Sequence, residues 1–181
     1  MRILKFALAT GFALLIGSGS AYAVTVKKRI EAPGLPPEVW AVTGSTFCQI
    51  KDWHPAVAEC EETKDGDVVF RTLTLKDGGK IKEKLTGKDD LSYTYEIIES
   101  PLPVKNYKSK LWVETDDEPD RTVIYWQSDF DAEGKPEDEA KKTITGILGD
   151  GVKGIKKTAI AAWDKAHPEE AGGGGGDDDD N

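Results

Sequence analysis

The sequence has little cysteine, histidine or methionine, and no excess of positive charge. Of its 181 residues, two are cysteine, two are histidine and one is methionine. Lysine and arginine together number 24 against 33 aspartate and glutamate residues, which gives a formal net charge of −9. A nucleic-acid-binding surface needs basic residues to neutralise phosphates, so this balance excludes nucleic acid as a partner. With so few histidines and cysteines, and none at zinc-ligand spacing, we expect no metal.

Sequence signatures of catalysis are also scarce. We recognise no serine or cysteine motif of hydrolase type, no phosphate loop and no dinucleotide fingerprint. Cys48 and Cys60 do not have the Cys-x-x-Cys spacing of a redox site. Nucleophilic, nucleotide and thiol redox chemistry are therefore disfavoured, and the sequence predicts no cofactor.

The first 23 residues have the pattern of a secretory signal peptide. Arg2 and Lys5 precede an apolar run, and the small residues Ala21 and Ala23 fit a cleavage site. The run is about 11 residues long, well short of the roughly 20 that span a bilayer, which favours cleavage over an uncleaved anchor. We expect cleavage after Ala23 and a periplasmic location for the remaining chain, in which no segment is apolar enough to span a membrane.

Export affects how the two cysteines are interpreted. In an oxidising compartment, two cysteines usually pair or are buried as inert thiols. A bridge between Cys48 and Cys60 would close a small loop that contains Trp53, His54 and Pro55. Loop-entropy arguments put the stabilisation from such a bridge at about 3 kcal/mol. We predict the disulfide, with buried thiols as the alternative.

Hydrophobic periodicity predicts one α+β domain over residues 24–168, followed by a Gly- and Asp-rich acidic tail over residues 169–181. A strand over 24–31, a helix that opens at Pro37 and a short helix over 45–50 come first. Six strands are then predicted, at residues 57–62, 67–75, 80–86, 92–99, 107–114 and 122–130. The short, turn-forming links between them imply an antiparallel sheet. We expect the tail, with its run of five glycines and four aspartates, to be disordered.

A long helix over residues 136–166 completes the predicted domain. Its apolar stripe consists of Ile144, Ile147, Leu148, Val152, Ile155, Ala159 and Trp163. A single sheet has one face to bury, and this helix is the only predicted element large enough to cover it. The helix also carries Gly146, Gly149, Gly151 and Gly154, each of which costs about 1 kcal/mol relative to alanine. Either packing tolerates these glycines, or the missing side chains leave room beside the sheet or let the helix bend.

Counting the strand register places charged residues on the inner face of the sheet. A three-residue loop at 76–78 sets Arg71 directly opposite Glu83, and the next hairpin brings Tyr95 beside Glu83. A buried charged pair is costly unless it is hydrogen-bonded. The pair is either a satisfied structural ion pair or a polar anchor at the floor of a ligand pocket. An acid–base role for Glu83 with Tyr95 is a third interpretation.

His54 lies between Trp53 and Pro55 and has two interpretations. It either caps the backbone of a turn while Trp53 packs under the sheet, or it lies at a pocket mouth and contacts a ligand. No catalytic residue is assigned. The predicted ligand-pocket residues are Trp53, His54, Arg71, Glu83, Tyr95, Tyr107 and Trp126.

Several short motifs occur in the order seen in START-like (SRPBCC) proteins. They are Pro37-Glu38-Val39-Trp40, the segment from Phe47 through Trp53-His54-Pro55-Ala56-Val57, Arg71-Thr72-Leu73, Gly79-Lys80-Ile81-Lys82-Glu83, Tyr93-Thr94-Tyr95-Glu96-Ile97 and Pro101-Leu102-Pro103. Over residues 25–165 the chain resembles the polyketide cyclase/dehydrase-like branch of that superfamily. Within this branch it is similar to the small exported accessory proteins of bacterial methanol oxidation, the MxaD-like proteins.

The resemblance implies a helix-grip fold, in which a seven-stranded antiparallel sheet wraps around a long C-terminal helix with an internal cavity between them. It implies three alternative functions. The first is an exported, non-catalytic protein that binds a small apolar ligand, such as a lipid or polyketide, in the cavity. The second is an accessory protein that docks on a periplasmic dehydrogenase, such as methanol dehydrogenase, or on its cytochrome, where strong acidity would steer a basic partner. The third is a cyclase or dehydratase-type lyase.

Overall fold

The computed structural model describes residues 24–169 of the chain. The predicted signal peptide (residues 1–23) and residues 170–181 of the predicted tail lie outside this range. The elements, in chain order, are β1 (Val24–Pro33), α1 (Pro36–Thr43), a 3-10 turn (Phe47–Gln49), α2 (Ile50–Trp53), β2 (Val57–Asp65), β3 (Val68–Leu75), β4 (Lys80–Asp89), β5 (Ser92–Glu99), β6 (Val104–Thr115), β7 (Arg121–Ala132) and α3 (Glu137–Ala166).

The seven strands form one antiparallel sheet in the order β1-β7-β6-β5-β4-β3-β2. Each strand from β2 to β6 pairs with the next strand in the chain, whereas β1 pairs with β7, the last strand. Helix α3 packs on the inner face, where Ile144, Leu148 and Ile155 of its apolar stripe are completely buried. The predicted α+β helix-grip architecture is therefore confirmed.

The ends of several predicted elements differ from the structure, and two of the differences have a visible cause. The predicted short helix over 45–50 is a 3-10 turn followed by α2, which continues to Trp53. Strand β6 begins at Val104 rather than at residue 107. Asn106 has a left-handed backbone (φ 53°) at an irregularity in the β6–β7 pairing. This bulge interrupts the alternation of inward and outward side chains, which conceals the start of the strand from a period-two reading.

The β3–β4 hairpin has the predicted register. Arg71 is paired with Glu83, and the Leu75 N–H donates to the Gly79 carbonyl at 2.8 Å. Gly78 adopts a left-handed conformation (φ 89°), which the third position of such a loop requires and glycine accepts without strain.

The predicted position of Tyr95 beside Glu83 is wrong. Tyr95 pairs with Leu85, and Glu83 pairs with Ile97. Strand β4 continues past residue 86 to Asp89, which pairs with Ser92, and one extra residue then bulges from β4 between Leu85 and Gly87. A Cβ at Gly87 would lie 2.8 Å from the Thr94 hydroxyl oxygen, so this close approach requires glycine. Tyr95 nevertheless remains on the inner face and is 2% exposed.

The glycines of α3 have different surroundings. A Cβ at Gly151 would overlap the Trp126 ring, and a Cβ at Gly154 would overlap the Trp53 carbonyl. These two positions therefore let α3 approach its neighbours closely, rather than leaving open space, whereas Gly146 has no neighbour within 4 Å of such a Cβ. The spacing of Gly149, Gly151 and Gly154 matches the Gly-x-Gly-x-x-Gly string. That string binds dinucleotides as a strand-to-helix turn, and here it lies inside a helix.

The predicted disulfide between Cys48 and Cys60 is present. It joins the 3-10 turn to strand β2, with the two Cα atoms 5.5 Å apart. The bond therefore fixes the position of the segment that begins at Phe47, whose backbone carbonyl contacts the inner face of the sheet.

Candidate ligand-binding site

A cavity of about 60 Å³ lies between the inner face of the sheet and α3. Its walls are mostly aliphatic, with Ile97 on the sheet side and Ile144 and Ile147 on the α3 side. Pockets for drug-sized molecules are typically about 300–1,000 Å³, so this cavity is small by comparison. In this form it accommodates a small molecule or a few waters.

Five of the seven predicted pocket residues line the cavity: His54, Glu83, Tyr95, Tyr107 and Trp126. The other two do not. Trp53 is buried beneath α3, where its indole N–H donates to the Thr43 carbonyl at 2.8 Å. Arg71 lies behind Glu83. Direct contact of these side chains with a ligand stays a prediction.

Arg71 and Glu83 form a buried ion pair at the cavity wall. Arg71 is completely buried and Glu83 is 4% exposed. The Arg71 Nε donates to Glu83 Oε2 at 2.5 Å, and Nη1 donates to the Phe47 carbonyl. The guanidinium also lies over the Phe47 ring, 3.9 Å from its centroid. These contacts fix Arg71, and through it one oxygen of Glu83.

The second carboxylate oxygen of Glu83 remains available. Over residues 24–169, no group donates a hydrogen bond to Oε1. Burial raises the pKa of Glu83, and the neighbouring Arg71 opposes that rise. Burial has the largest effect on the pKa of Arg71 and lowers it, but the charge of Glu83, the neighbouring Tyr93 and Tyr95 and the hydrogen bond to Glu83 together leave the pKa raised. The guanidinium therefore stays charged. The cavity wall thus presents one free acceptor beside a fixed cation.

Buried hydroxyl groups of β6 and β7 form an ordered chain. The Tyr107 hydroxyl lies 2.6 Å from Ser128 Oγ, which lies 2.9 Å from Ser109 Oγ. Ser109 donates to the Gln127 carbonyl at 2.7 Å. Because a serine has only one hydroxyl proton, Ser128 must donate to Ser109, and Tyr107 must donate to Ser128. The direction of this chain is therefore fixed.

Tyr95 supplies a hydrogen-bond donor to the cavity. The Trp126 indole N–H lies 3.1 Å from the Tyr95 hydroxyl oxygen and 3.0 Å from Ser109 Oγ. Since an indole only donates, the Tyr95 oxygen accepts, and its own proton remains to be donated, either to the neighbouring Tyr107 hydroxyl or into the cavity. Burial raises the pKa of both cavity tyrosines, that of Tyr107 to about 12. Both phenols are therefore neutral donors at physiological pH.

The position of His54 is compatible with both of its predicted roles, because the side chain caps the backbone of a turn and also lines the cavity. Its Nδ1 accepts from the Ala56 N–H at 3.2 Å, so the proton is on Nε2, which donates to the Ile147 carbonyl at 3.2 Å. The ring also packs edge-on to Trp126 at the cavity wall. Burial lowers the pKa of His54, which keeps the imidazole neutral. The residue thus ties α3 to the turn that precedes β2.

Pattern reasoning from the sequence missed Ser109 and Ser128 as site residues. Both are buried, at 5% and 0% exposure. Each occupies an inward position of a strand whose other inward residues are mostly apolar, although Thr122 of β7 is buried as well. A polar residue at such a position is the signal that identifies them.

Within residues 24–169, no group of three or more histidine, cysteine, aspartate or glutamate side chains is placed to hold a metal. None of the helices described is long and apolar enough to cross a membrane.

A sheet gripping a C-terminal helix, with an apolar cavity between them, defines a START-like protein. The family described as polyketide cyclase/dehydrase and lipid transport matches residues 23–159. The chain belongs to this family of the START-like (SRPBCC) superfamily.

Solved structures of similar fold agree with this assignment. The protein XoxI from Bacillus cereus is 31% identical, with a TM-score of 0.71, over 79% of this chain and 98% of XoxI. The Zhui aromatase/cyclase from Streptomyces sp. R1128 is 15% identical, with a TM-score of 0.64, over 85% of this chain and all of that one. A START superfamily protein from Mycobacterium smegmatis is 12% identical, with a TM-score of 0.61, over 75% and 96% of the two chains.

The three solved structures differ in their sequence identity to this chain, and therefore in what they show about it. The aromatase/cyclase and the START protein establish the fold alone, whereas the match to XoxI also agrees with the resemblance to MxaD-like proteins. No curated protein matches the chain.

Proposed function

We propose that the protein is an exported, non-catalytic binding protein for a small apolar molecule that carries a hydroxyl group. The ligand occupies the cavity between the sheet and α3. The observation that carries this proposal is that the free acceptor Glu83 Oε1 and the hydroxyl donor of Tyr95 line one otherwise apolar cavity. A hydroxyl group both donates and accepts, so it can satisfy both groups at once. A few polar groups that orient a ligand within apolar walls are typical of small-molecule sites.

The size of the cavity supports a small ligand. A volume of about 60 Å³ leaves no space for a lipid or polyketide without movement of α3 or of the turn that contains His54. The hydrogen bond from His54 to the Ile147 carbonyl holds these two segments together. A ligand that fits the closed form avoids the cost of breaking this contact.

The protonation states support a binding role over catalysis. General base catalysis needs a free basic atom within reach of the substrate proton. Both nitrogens of His54 are engaged with backbone groups, and both cavity tyrosines are protonated. Glu83 Oε1 is the remaining candidate: burial raises the pKa of this carboxyl, and the adjacent Arg71 opposes the rise. A cyclase or dehydratase would depend on that single oxygen.

Short-chain alcohols of increasing length, each with its matched ketone, test this function by NMR titration of isotope-labelled protein. We expect alcohols to shift the backbone signals of cavity residues, and ketones to bind less well because they leave Glu83 without a donor. Ile97→Phe places a ring in the cavity and should abolish binding. Its matched control is Ile98→Phe on the same strand, because Ile98 is 45% exposed on the outside. Unchanged binding by the Ile97 variant would exclude this cavity as the site.

We also propose that residues 1–23 direct export to the periplasm. The disulfide supports this, since such bonds persist in oxidising compartments. Intact mass analysis of protein recovered from a bacterial periplasm tests the proposal. A mass that begins at Val24 is the expected result, and retention of Met1 would contradict it.

Docking on a periplasmic redox enzyme or its cytochrome is the second candidate. The formal net charge of −9 favours it, because an acidic protein is steered toward a basic partner. A salt-sensitive complex with purified methanol dehydrogenase or its cytochrome would support docking. The Ile97→Phe variant separates the two functions, since filling the cavity should leave docking unchanged.

A further inference from the structure

The outer face of the sheet, opposite α3, carries an aromatic cluster that is separate from the cavity. Trp112 and Tyr125 are paired across β6 and β7, and their rings stack with centroids 4.9 Å apart and planes at 18°. The Lys27 Nζ lies 4.4 Å from the Tyr125 ring centroid and 4.9 Å from that of Trp112. The Lys110 Nζ lies 5.3 Å from the Trp112 ring centroid. We call Lys27, Lys110, Trp112 and Tyr125 the outer aromatic patch.

The two lysines of the patch are exposed and keep their charge unneutralised. Neither Lys27 nor Lys110 forms an ion pair with any carboxylate of residues 24–169, and both are exposed. By contrast, the nearby Arg29 is paired with Glu31 at 2.7 Å. The aromatic faces hold the ammonium groups in place without cancelling their charge. Glu114 Oε1 accepts from the Trp112 indole N–H at 2.8 Å but forms no ion pair with either lysine, so the patch presents two unpaired ammonium groups on a chain whose net charge is negative.

The same chain contains a segment of complementary charge. Asp177–Asp180 are four consecutive carboxylates, placed after a run of glycines. The described chain ends at Glu169, just after α3. In the last turns of that helix, the Trp163 ring lies 3.6 Å from a Cβ placed at Gly34. The end of α3 is thus beside the end of β1, the strand that carries Lys27.

The intervening chain, when fully extended, is longer than the stretch of β1 between Pro33 and Lys27. Lys27 lies about 20 Å from Pro33 along β1, at ~3.3 Å per residue. The residues from Glu169 to Asp177 span at most about 26–29 Å. Because β1 is an edge strand, a path from α3 to the outer face passes around an open side of the sheet.

We propose that Asp177–Asp180 bind the outer aromatic patch of the same molecule, with their carboxylates around Lys27 and Lys110. Single ion pairs at a protein surface are weak. A tether of this length, however, gives an effective concentration in the millimolar range, so millimolar affinity is enough to occupy the patch. The contact depends on charge and is therefore disrupted by salt.

Paramagnetic broadening tests this contact in isotope-labelled protein expressed from the whole sequence. A nitroxide is attached through Asn181→Cys, which supplies a free thiol because Cys48 and Cys60 are bonded to each other. At about 0.01 M salt, where the Debye length is ~30 Å, we expect selective loss of the amide signals of Lys27, Gln127 and Lys110. At about 1 M salt, where it is ~3 Å, the signals should recover.

Two variants identify the interaction. Replacing all four aspartates of Asp177–Asp180 with asparagine keeps the length of the segment and should remove the broadening. Lys27→Glu combined with Lys110→Glu should do the same, whereas Lys80→Glu, on the distant strand β4, should not. Broadening that persists with the neutral segment, that is equal at Lys80 and Lys110, or that arises only between separate molecules in mixed samples would overturn the proposal.

Discussion

Arg71 and Glu83 face each other across β3 and β4 as a fully buried ion pair, with Nε and Oε2 2.5 Å apart. Arg71 also donates to the Phe47 carbonyl, so a single side chain links the sheet to the 3-10 turn that the disulfide holds. The cation thereby determines both the orientation of Glu83 and the position of the segment that leads into α2.

Arg71→Met should lower the free energy of unfolding by about 3–5 kcal/mol, because Glu83 would be left buried without its partner. Urea denaturation measures the effect. The double variant Arg71→Met with Glu83→Leu should recover much of the loss. Arg121→Met removes only partly exposed ion pairs and serves as the control, with an expected loss below about 1 kcal/mol. Equal losses for Arg71→Met and Arg121→Met would contradict the role of the buried pair.

Two glycines of α3 should respond to alanine in opposite directions. Gly151→Ala places a Cβ against Trp126 and should destabilise the fold by about 1–3 kcal/mol through overpacking. Gly146→Ala meets nothing and should stabilise the exposed helix surface by about 0.5–1 kcal/mol. Denaturation of the two variants, which differ only in position, measures both effects. A stabilising Gly151→Ala would show that α3 is not held closely against Trp126.

Stability should fall on acidification through the titration of His54. Burial lowers its pKa in the folded protein, so the unfolded chain takes up the proton first as the pH drops below about 6.5. The stability is therefore complete above that value and is lost toward the lower folded pKa, with a slope of at most about 1.4 kcal/mol per pH unit. Asp150 and Arg71 act on the imidazole in opposite directions.

Urea denaturation between about pH 7.5 and about pH 5.5 measures this dependence, in a range where unperturbed carboxylates remain ionised. Glu83, whose pKa is raised, contributes with the opposite sign, so the informative quantity is the difference between the wild type and His54→Gln. The variant should be less stable at neutral pH and should depend less on pH. Identical slopes for both proteins would exclude His54 as the titrating group.

The disulfide should leave no reactive thiol in protein recovered from the periplasm and denatured without reductant. Two reactive thiols would contradict it. Replacing both Cys48 and Cys60 with alanine should cost about 3 kcal/mol of stability. Because the bond holds the 3-10 turn, this variant should also shift the NMR signals around Phe47 and Arg71.

The predictability of each feature depended on how local its cause is. The opposition of Arg71 and Glu83 followed from one turn, because a three-residue loop sets the register of both strands. The same counting failed for Tyr95, because β4 continues to Asp89 and pairs there with Ser92, which leaves a two-residue link where a longer one was predicted. Segment types were predictable throughout, since strand and helix periods are properties of short stretches of sequence.

The interior of the site depends on contacts between distant segments and was not predictable. Ser109 and Ser128 meet only because β6 and β7 pair in one particular register. The contact of Gly151 with Trp126 depends on the angle at which α3 crosses the sheet. The volume of the cavity depends on these same distances. Because the cavity is only about 60 Å³, a small shift of α3 relative to the sheet would close or enlarge it.

The pairing of β1 with β7 has a consequence for the order of folding. Thr25 and Asp129, which are hydrogen-bonded across this pair, are separated by 104 positions in the chain. β1, the first strand to be synthesised, therefore has no strand to pair with until β7, the last strand, has been made. Contacts of such long range slow folding, because the entropy of loop closure precedes any gain from pairing. A growing chain of this topology therefore completes its sheet only after β7 has been synthesised, although β2 to β6 can pair with their sequence neighbours earlier.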